Sequence, residues 1–347
     1  MIRLGILGCG AIAEKQYLPA SARLAGIRVT ALVDINPART HLLRETYGLD
    51  CQVTTDYREA FRNVDAVVNA LPNNLHAAAN LAAIDAGIHV LCEKPLATTL
   101  EDARRCCEEA ERKRVVFAMS MPRRFYASAE LMRLVLRDGT LGTLREYDWE
   151  HGVPFAWDTA SGFYFSRPQA GGGVTLDEGV HLLDCLLNWF GPATLVSYQD
   201  DNWGSGIEAN AVLHVQHDGD FGRVSGRVRL SRTYNLKNRL FLTGGRAELE
   251  LRRSEPNSVL VRRVLGGQRV SMRLQLEERG EDDDTSGRAF RALLADFLRA
   301  VQGGSTPAVE ARAGLDVLRL IDAAYRKAER ISEPWLERTR LPPGGFA

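Results

Sequence analysis

Two groups of side chains in this sequence have the types and spacing that chemistry needs. Asp177, His181 and Asp184 stand at i, i+4 and i+7, which a helix places on one face. A carboxylate one turn from an imidazole fixes its tautomer and raises its basicity, as a general acid/base near neutral pH requires. Gly171-Gly172-Gly173 precedes this segment. A hydrogen-bonded core histidine beside Leu176, Val180, Leu183 and Leu187 is the alternative, and the carboxylate spacing favours catalysis. The second group is Glu93-Lys94-Pro95, directly after the apolar run 88–92. A lysine there can reach an oxygen of a bound molecule, or it can be a surface lysine before a turn.

Those groups need a scaffold, and the first 25 residues describe one. Ile2, Leu4, Ile6 and Leu7 form a short apolar strand, which stops at Gly8-Cys9-Gly10-Ala11-Ile12-Ala13 before a helical stretch. This is the dinucleotide fingerprint G-x-G-x-x-G/A. Gly8 permits the sharp turn, and Gly10 lets a pyrophosphate approach the backbone. Ala13 lets the helix lie close to the strand, and Ala11 and Ile12 open the helix whose free N–H groups face phosphate. The second strand, 27–33, ends on Asp34, 21 residues after Ala13. An acidic residue there accepts hydrogen bonds from an adenosine ribose and repels a 2′-phosphate, so the cofactor expected is NAD rather than NADP. Arg39 lies close by and could instead meet a phosphate.

Apolar runs at 2–7, 27–33, 64–71, 88–92 and 115–119 alternate with helix-like stretches near 37–47, 74–86 and 99–113. That order predicts βαβ units and a doubly wound parallel sheet, with ligands outside the carboxyl ends of the strands. Leu71-Pro72-Asn73-Asn74-Leu75-His76 follows the third run, and its asparagines suit a helix cap or a cofactor contact equally. After Met119 the text changes. An amphipathic helix holding Leu131, Leu134 and Val135 ends at Arg137-Asp138-Gly139, and a strand follows from Leu144 to Glu150. The next loop carries His151, Phe155, Trp157, Phe163, Tyr164 and Phe165, which suit a sugar face or a domain interface equally. Strands are expected at 194–200, 207–216, 222–230, 237–242, 246–252 and 258–264, then a charged loop from Glu277 to Asp284, helices at 287–301 and 308–329, and a loose tail at Pro342-Pro343-Gly344-Gly345. The alternation in the second of these strands predicts antiparallel pairing with one face exposed or partner-bound. The whole reads as α/β: a dinucleotide-binding domain over 1–120 and an α+β domain with an open, mostly antiparallel sheet over 121–347.

Composition narrows the classes. The 347 residues hold 44 basic and 44 acidic side chains, which argues against nucleic acid or an anionic membrane as partner. No apolar run approaches the ~20 residues of a membrane helix. A strand beginning at residue 2 leaves no room for a signal peptide. The six cysteines lack metal-ligand spacing and read as reduced thiols of a cytoplasmic protein, with no metal site expected.

Four features occur in order: GCGAIA with Asp34, Glu93-Lys94-Pro95, Arg123-Arg124-Phe125, and GGG-x-x-x-D-x-G-x-H-x-x-D at 171–184. In combination the sequence resembles the Gfo/Idh/MocA family of oxidoreductases along nearly its whole length. The resemblance implies hydride transfer between a nicotinamide and a secondary alcohol or ketone of a sugar, cyclitol or sugar derivative, in a pocket between the domains. It implies Lys94, Asp177 and His181 as the catalytic set and a nicotinamide bordered by Leu71, Pro72, Asn73, His76, Glu93 and Lys94. It places the substrate among Arg124, Trp157, Tyr164, Asp177 and His181, and it implies a homodimer or homotetramer formed through the C-terminal sheet. Relatives also include glycosidases that oxidise transiently and eliminate, and a non-catalytic regulator. Three departures bear on specificity: Pro122 before the double arginine, Glu178 after Asp177, and the aromatic loop.

Overall fold

The computed structural model describes residues 1–156, 162–202, 207–276 and 285–332. Trp157, the charged loop from Glu277 to Asp284 and the tail at Pro342 lie outside the described residues. Six strands form the first sheet: β1 Ile2–Leu7, β2 Ile27–Val33, β3 Gln52–Thr54, β4 Ala66–Asn69, β5 His89–Cys92 and β6 Phe117–Met119. All pair in parallel in the order β3-β2-β1-β4-β5-β6. Leu4, Ile6, Leu7, Val67, Val68 and Val90 have no exposed surface, as strands covered on both faces require. The order reverses between β1 and β4, which opens a crevice beyond their carboxyl ends. The short edge strand β3 was not expected from the sequence, because Gln52, Val53 and Thr54 are all half-buried and form no apolar run.

The second sheet has nine strands: β7 Leu144–Gly152, β8 Ala193–Asp200, β9 Asn210–Gly219, β10 Gly222–Ser231, β11 Arg239–Gly244, β12 Ala247–Arg252, β13 Ser258–Leu265, β14 Gln268–Gln275 and β15 Glu329–Arg330. Their order is β14-β13-β12-β11-β7-β10-β9-β8-β15. Pairing is antiparallel except for β7 with β10 and β8 with β15. β14 also escaped the sequence reading. Its signal was present: Gly266-Gly267, both at positive φ, make a two-residue hairpin turn, and Val270, Met272 and Leu274 alternate after it. The outer face of this sheet carries Asp148, Glu150 and Glu250 among arginines 227, 229, 239, 252 and 262.

The last helices tie the two sheets together. Helix Thr285–Val301 returns to the first sheet, where Phe290, Leu293, Leu294 and Phe297 pack in one cluster with Leu4, Ile6, Tyr17 and Leu18. Helix Ala311–Arg326, shorter than the expected 308–329, approaches so closely that a Cβ on Gly314 would sit 2.7 Å from the Met119 sulfur. Among the described residues no helix is long and apolar enough to cross a membrane.

Candidate active site

The fingerprint forms the first wall of the site. Gly8 has φ +94°, and a Cβ there would lie 2.4 Å from the Ala70 carbonyl oxygen, so the β1 and β4 ends touch only because the side chain is missing. A Cβ on Gly10 would meet nothing within 4 Å. That open space above the backbone is what a pyrophosphate needs. The helix that follows starts at Ala11 and contains a π turn over Ala13–Tyr17. Asp34 is fixed at the end of β2, its carboxylate accepting the Cys9 and Asn36 N–H groups at 2.8 Å each. Arg39 is not held ready for a phosphate. Its guanidinium donates to the Cys9 carbonyl at 2.9 Å and pairs with Glu14 at 2.8 Å.

The second wall is the pair of loops after β4 and β5. His76 is buried in the helix Asn73–Asp85, with one ring nitrogen 2.6 Å from the Pro95 carbonyl and the other 2.7 Å from that of Leu71. It thereby ties the 71–72 loop to the Lys94-Pro95 loop. Burial outweighs these carbonyls and holds its pKa below the ordinary imidazole value. Asn73 caps nothing, contrary to one reading of the sequence. Pro72 takes the N-cap position without a side-chain bond, and Asn73 Nδ2 donates to Ala170 O at 2.9 Å across the cleft. The buried Glu93 accepts from Tyr17 at 2.6 Å and from its neighbour's N–H, Lys94 N, at 3.2 Å.

Opposite these loops, the triple glycine allows close packing. A Cβ on Gly172 would strike the Tyr325 hydroxyl at 2.2 Å, and one on Gly173 the Glu208 carbonyl at 2.1 Å. Glu208 is buried and accepts Gly173 N, Thr175 N and the Tyr325 hydroxyl at 2.9 Å each, which caps the helical segment that carries Asp177 and His181. Residues Thr175–Gly179 make a π turn before the helix Val180–Phe190. That wider turn alters the spacing on which the one-face reading depended.

The expected Asp177–His181 pair is therefore corrected. The Asp177 carboxylate is taken by Lys94 Nζ at 2.5 Å and by Arg232 at 2.6 Å, and Lys94 also donates to the Asp177 carbonyl at 2.9 Å. Asp184 turns away to form a buried ion pair with Arg124 at 2.6 Å. Arg124 donates further to Asn188 and to Ala308 O at 3.2 Å each, so it braces the helix Val180–Phe190. His181 Nδ1 is buried and has no hydrogen-bond partner among the described residues. Its basicity is not raised: burial, then Arg123 and Lys94, hold its pKa well below the ordinary imidazole value against the pull of Glu178.

Burial would drive the Lys94 ammonium to lose its proton, but Asp177, Tyr164 and Glu178 reverse this and keep its pKa above the ordinary lysine value. Burial would likewise raise the Asp177 pKa, and Lys94 with Arg232 bring it below the ordinary carboxylate range. Tyr164 lies within electrostatic reach of Lys94, with its phenol pushed up to about 12 chiefly by burial. Glu178 accepts from Arg123 at 2.7 Å and from His151 at 2.9 Å. Three contributors were given no role at the site from the sequence: Arg123, named only within its motif, His151, named only with the aromatic loop, and Arg232. All lie at or shortly after the carboxyl end of a strand, Arg123 four residues beyond β6, His151 next to the last residue of β7 and Arg232 directly after β10.

The chain matches the sequence profile of the Gfo/Idh/MocA oxidoreductases, "oxidoreductase family, NAD-binding Rossmann fold", over residues 2–121. It matches the companion profile, "oxidoreductase family, C-terminal alpha/beta domain", over residues 136–334. The chain belongs to this oxidoreductase family. Within it, the chain is 30% identical over 222 residues to a dTDP-3,4-didehydro-2,6-dideoxy-alpha-D-glucose 3-reductase of Saccharopolyspora spinosa, covering 63% of this chain and 65% of that protein. It is 26% identical to D-glucoside 3-dehydrogenase of Escherichia coli (strain K12), covering 94% and 95%. The chain thus spans just under two thirds of the first relative and nearly all of the second. The fold is similar to that of levoglucosan dehydrogenase in complex with NADH and levoglucosan, with a TM-score of 0.83, 18% identity and coverage of 94% and 96%.

Proposed function

We propose that this protein is an NAD-dependent dehydrogenase or reductase that acts on a secondary alcohol or ketone of a sugar, cyclitol or sugar derivative. One observation carries the reading. Lys94, from the end of β5, bonds both the carbonyl and the carboxylate of Asp177, one turn before His181, whose buried Nδ1 has no hydrogen-bond partner among the described residues. The open space over Gly10 and the anchored Asp34 carboxylate fit a dinucleotide, whose nicotinamide would supply or accept the hydride.

This chain's own residues do the rest. His181, neutral at pH 7, takes the hydroxyl proton during oxidation and returns it during reduction. An ammonium group has three protons, and Asp177 Oδ1 and O accept two of Lys94's. The third remains for the reacting oxygen, where it stabilises developing negative charge. Asp177 holds that ammonium in place, and Arg232 fixes the Asp177 carboxylate from its other oxygen. Asp34 supports NAD over NADP, since the nearby Arg39 is tied to Glu14 and Cys9 rather than held for a 2′-phosphate. A second copy of the chain is the proposed partner, seated on the outer face of the nine-stranded sheet.

The test is reduction of NAD by the full-length protein with levoglucosan, myo-inositol, D-glucose and methyl glucosides, followed by nicotinamide absorbance. Lys94→Ala and His181→Ala should each lower turnover at least about 100-fold, while NADH binding by fluorescence changes by less than about threefold. Near-normal turnover in both variants refutes the assignment, and release of product without net reduction points to transient oxidation with elimination.

A further inference from the structure

Beside the lysine–histidine pair lies a second polar group that the mechanism leaves unused. Glu178 follows Asp177 on the π turn, and its carboxylate Oε2 accepts from Arg123 at 2.7 Å and from His151 Nε2 at 2.9 Å. The three side chains come from three separate segments, after β6, at the end of β7 and before the helix Val180–Phe190. His151 is 6% exposed and Arg123 22%, yet Glu178 keeps a third of its side chain open. Its Oε1 makes no hydrogen bond among the described residues. Burial alone would raise the Glu178 pKa, but Arg123 and His151 hold it well below the ordinary carboxylate range, so the open oxygen is a charged acceptor. Glu178 directly follows Asp177, whose carbonyl and carboxylate hold Lys94, and stands three residues before His181, which sets it beside the reacting position.

A fixed carboxylate oxygen accepts from a hydroxyl and repels a carboxylate or phosphate. The cations that bond this carboxylate and its neighbour Asp177 are Arg123 on Glu178, and Lys94 and Arg232 on Asp177. An approaching anion therefore meets cations already neutralised by Glu178 and Asp177, whereas a polyol, whose hydroxyl groups both donate and accept, can bond to the carboxylate and to the free edge of Arg123 together.

Building on the hydride-transfer reading above, we infer that Glu178, held by Arg123 and His151, is a specificity-determining residue that accepts a hydrogen bond from a second hydroxyl group beside the reacting one. The site selects a neutral vicinal diol and discriminates against the deoxy analogue and against an anionic group at that position. A buried acceptor left unmatched by the wrong substrate is what makes such selection strong.

The experiment compares D-glucose, 1,5-anhydro-D-glucitol and myo-inositol with their mono-deoxy analogues and with D-glucuronate, using wild type and Glu178→Gln. A single cooperative unfolding transition and an unchanged NADH affinity establish that Glu178→Gln folds, with a melting temperature lowered by loss of the charge that Arg123 and His151 stabilise. For the best neutral polyol, the variant should lose at least about tenfold in kcat/KM. One mono-deoxy analogue should be poor with wild type and lose less than about twofold more in the variant. Arg123→Lys should show the same selective loss. An equal loss on diol and deoxy substrates, or a preference of wild type for D-glucuronate, overturns the inference and leaves hydride transfer standing. Failure of wild type to oxidise any of these compounds overturns the hydride-transfer reading and this inference with it.

Discussion

Replacing Asp177 by asparagine tests how the site holds its charge. Asp177→Asn keeps the shape and removes the one carboxylate shared by Lys94 at 2.5 Å and Arg232 at 2.6 Å. The side chains concerned are 16% exposed for Lys94 and 7% for Arg232, so water replaces little of the lost attraction. Removing one partner of a buried pair costs about 3–5 kcal/mol, and partial access for Lys94 points to the lower figure. For a chain of this size about 3 kcal/mol lowers the melting temperature by about 4 °C. The pH dependence has a definite sign. In wild type the folded-state pKa of Lys94 lies above the ordinary 10.5, so its contribution is complete below that value and is lost as pH rises through the folded-state pKa. In Asp177→Asn the largest opposing attraction is gone, and burial, now opposed by Tyr164 and Glu178 alone, depresses the ammonium pKa. The unfolded chain then binds more protons, and stability rises with pH. The gap between the two proteins should narrow from neutral pH towards about pH 10, read by thermal unfolding in a series of buffers. The double replacement Lys94→Met with Asp177→Asn should be more stable than Asp177→Asn alone, with a coupling above about 1 kcal/mol. A gap that stays constant with pH, or a loss under about 1 kcal/mol, would show that the pair is not the buried, mutually dependent unit described here.

Three further perturbations separate binding from folding and check the outer sheet face. Gly8→Ala places a methyl group 2.4 Å from a backbone oxygen at φ +94°, and should cost at least about 2 kcal/mol of stability. Gly10→Ala meets nothing within 4 Å, so it should leave stability within about 0.5 kcal/mol while weakening NADH binding about tenfold or more; equal effects of the two on unfolding would contradict the crevice geometry. Glu250, whose side chain is 1% exposed, has its pKa brought down to about 2, because arginines 252, 262 and 239 overcome the upward push of burial. Its contribution is present above the ordinary value of 4.5 and lost as pH falls towards 2, so the melting-temperature gap between wild type and Glu250→Gln should close across that range. A gap unchanged at about pH 3 sinks the assignment.

Much of this architecture could be read from residue types. The turn at Gly8, the open approach at Gly10 and the acid at Asp34 are local demands of backbone and charge, and a local pattern reveals them. The same holds for β1, β2, β4 and β5, whose apolar runs need no partner to be recognised. The Asp177–His181 pairing was misread because periodicity assumes a regular helix, and the π turn at Thr175–Gly179 breaks that assumption. Arg232 and His151 reach the site from strands paired through long-range register, which spacing along the chain does not encode. Arg124 belonged to a recognisable motif, yet only its contact with the buried Asp184 shows that it braces a helix.

The helix Thr285–Val301 has a consequence for biosynthesis. Its Phe290, Leu294 and Phe297 cover apolar surface of strands made at the very start of translation. A nascent chain therefore carries that surface uncovered until the helix Thr285–Val301 has been made, long after β1, and exposed apolar strands are where aggregation starts. Chaperone demand should fall off only when this late segment leaves the ribosome.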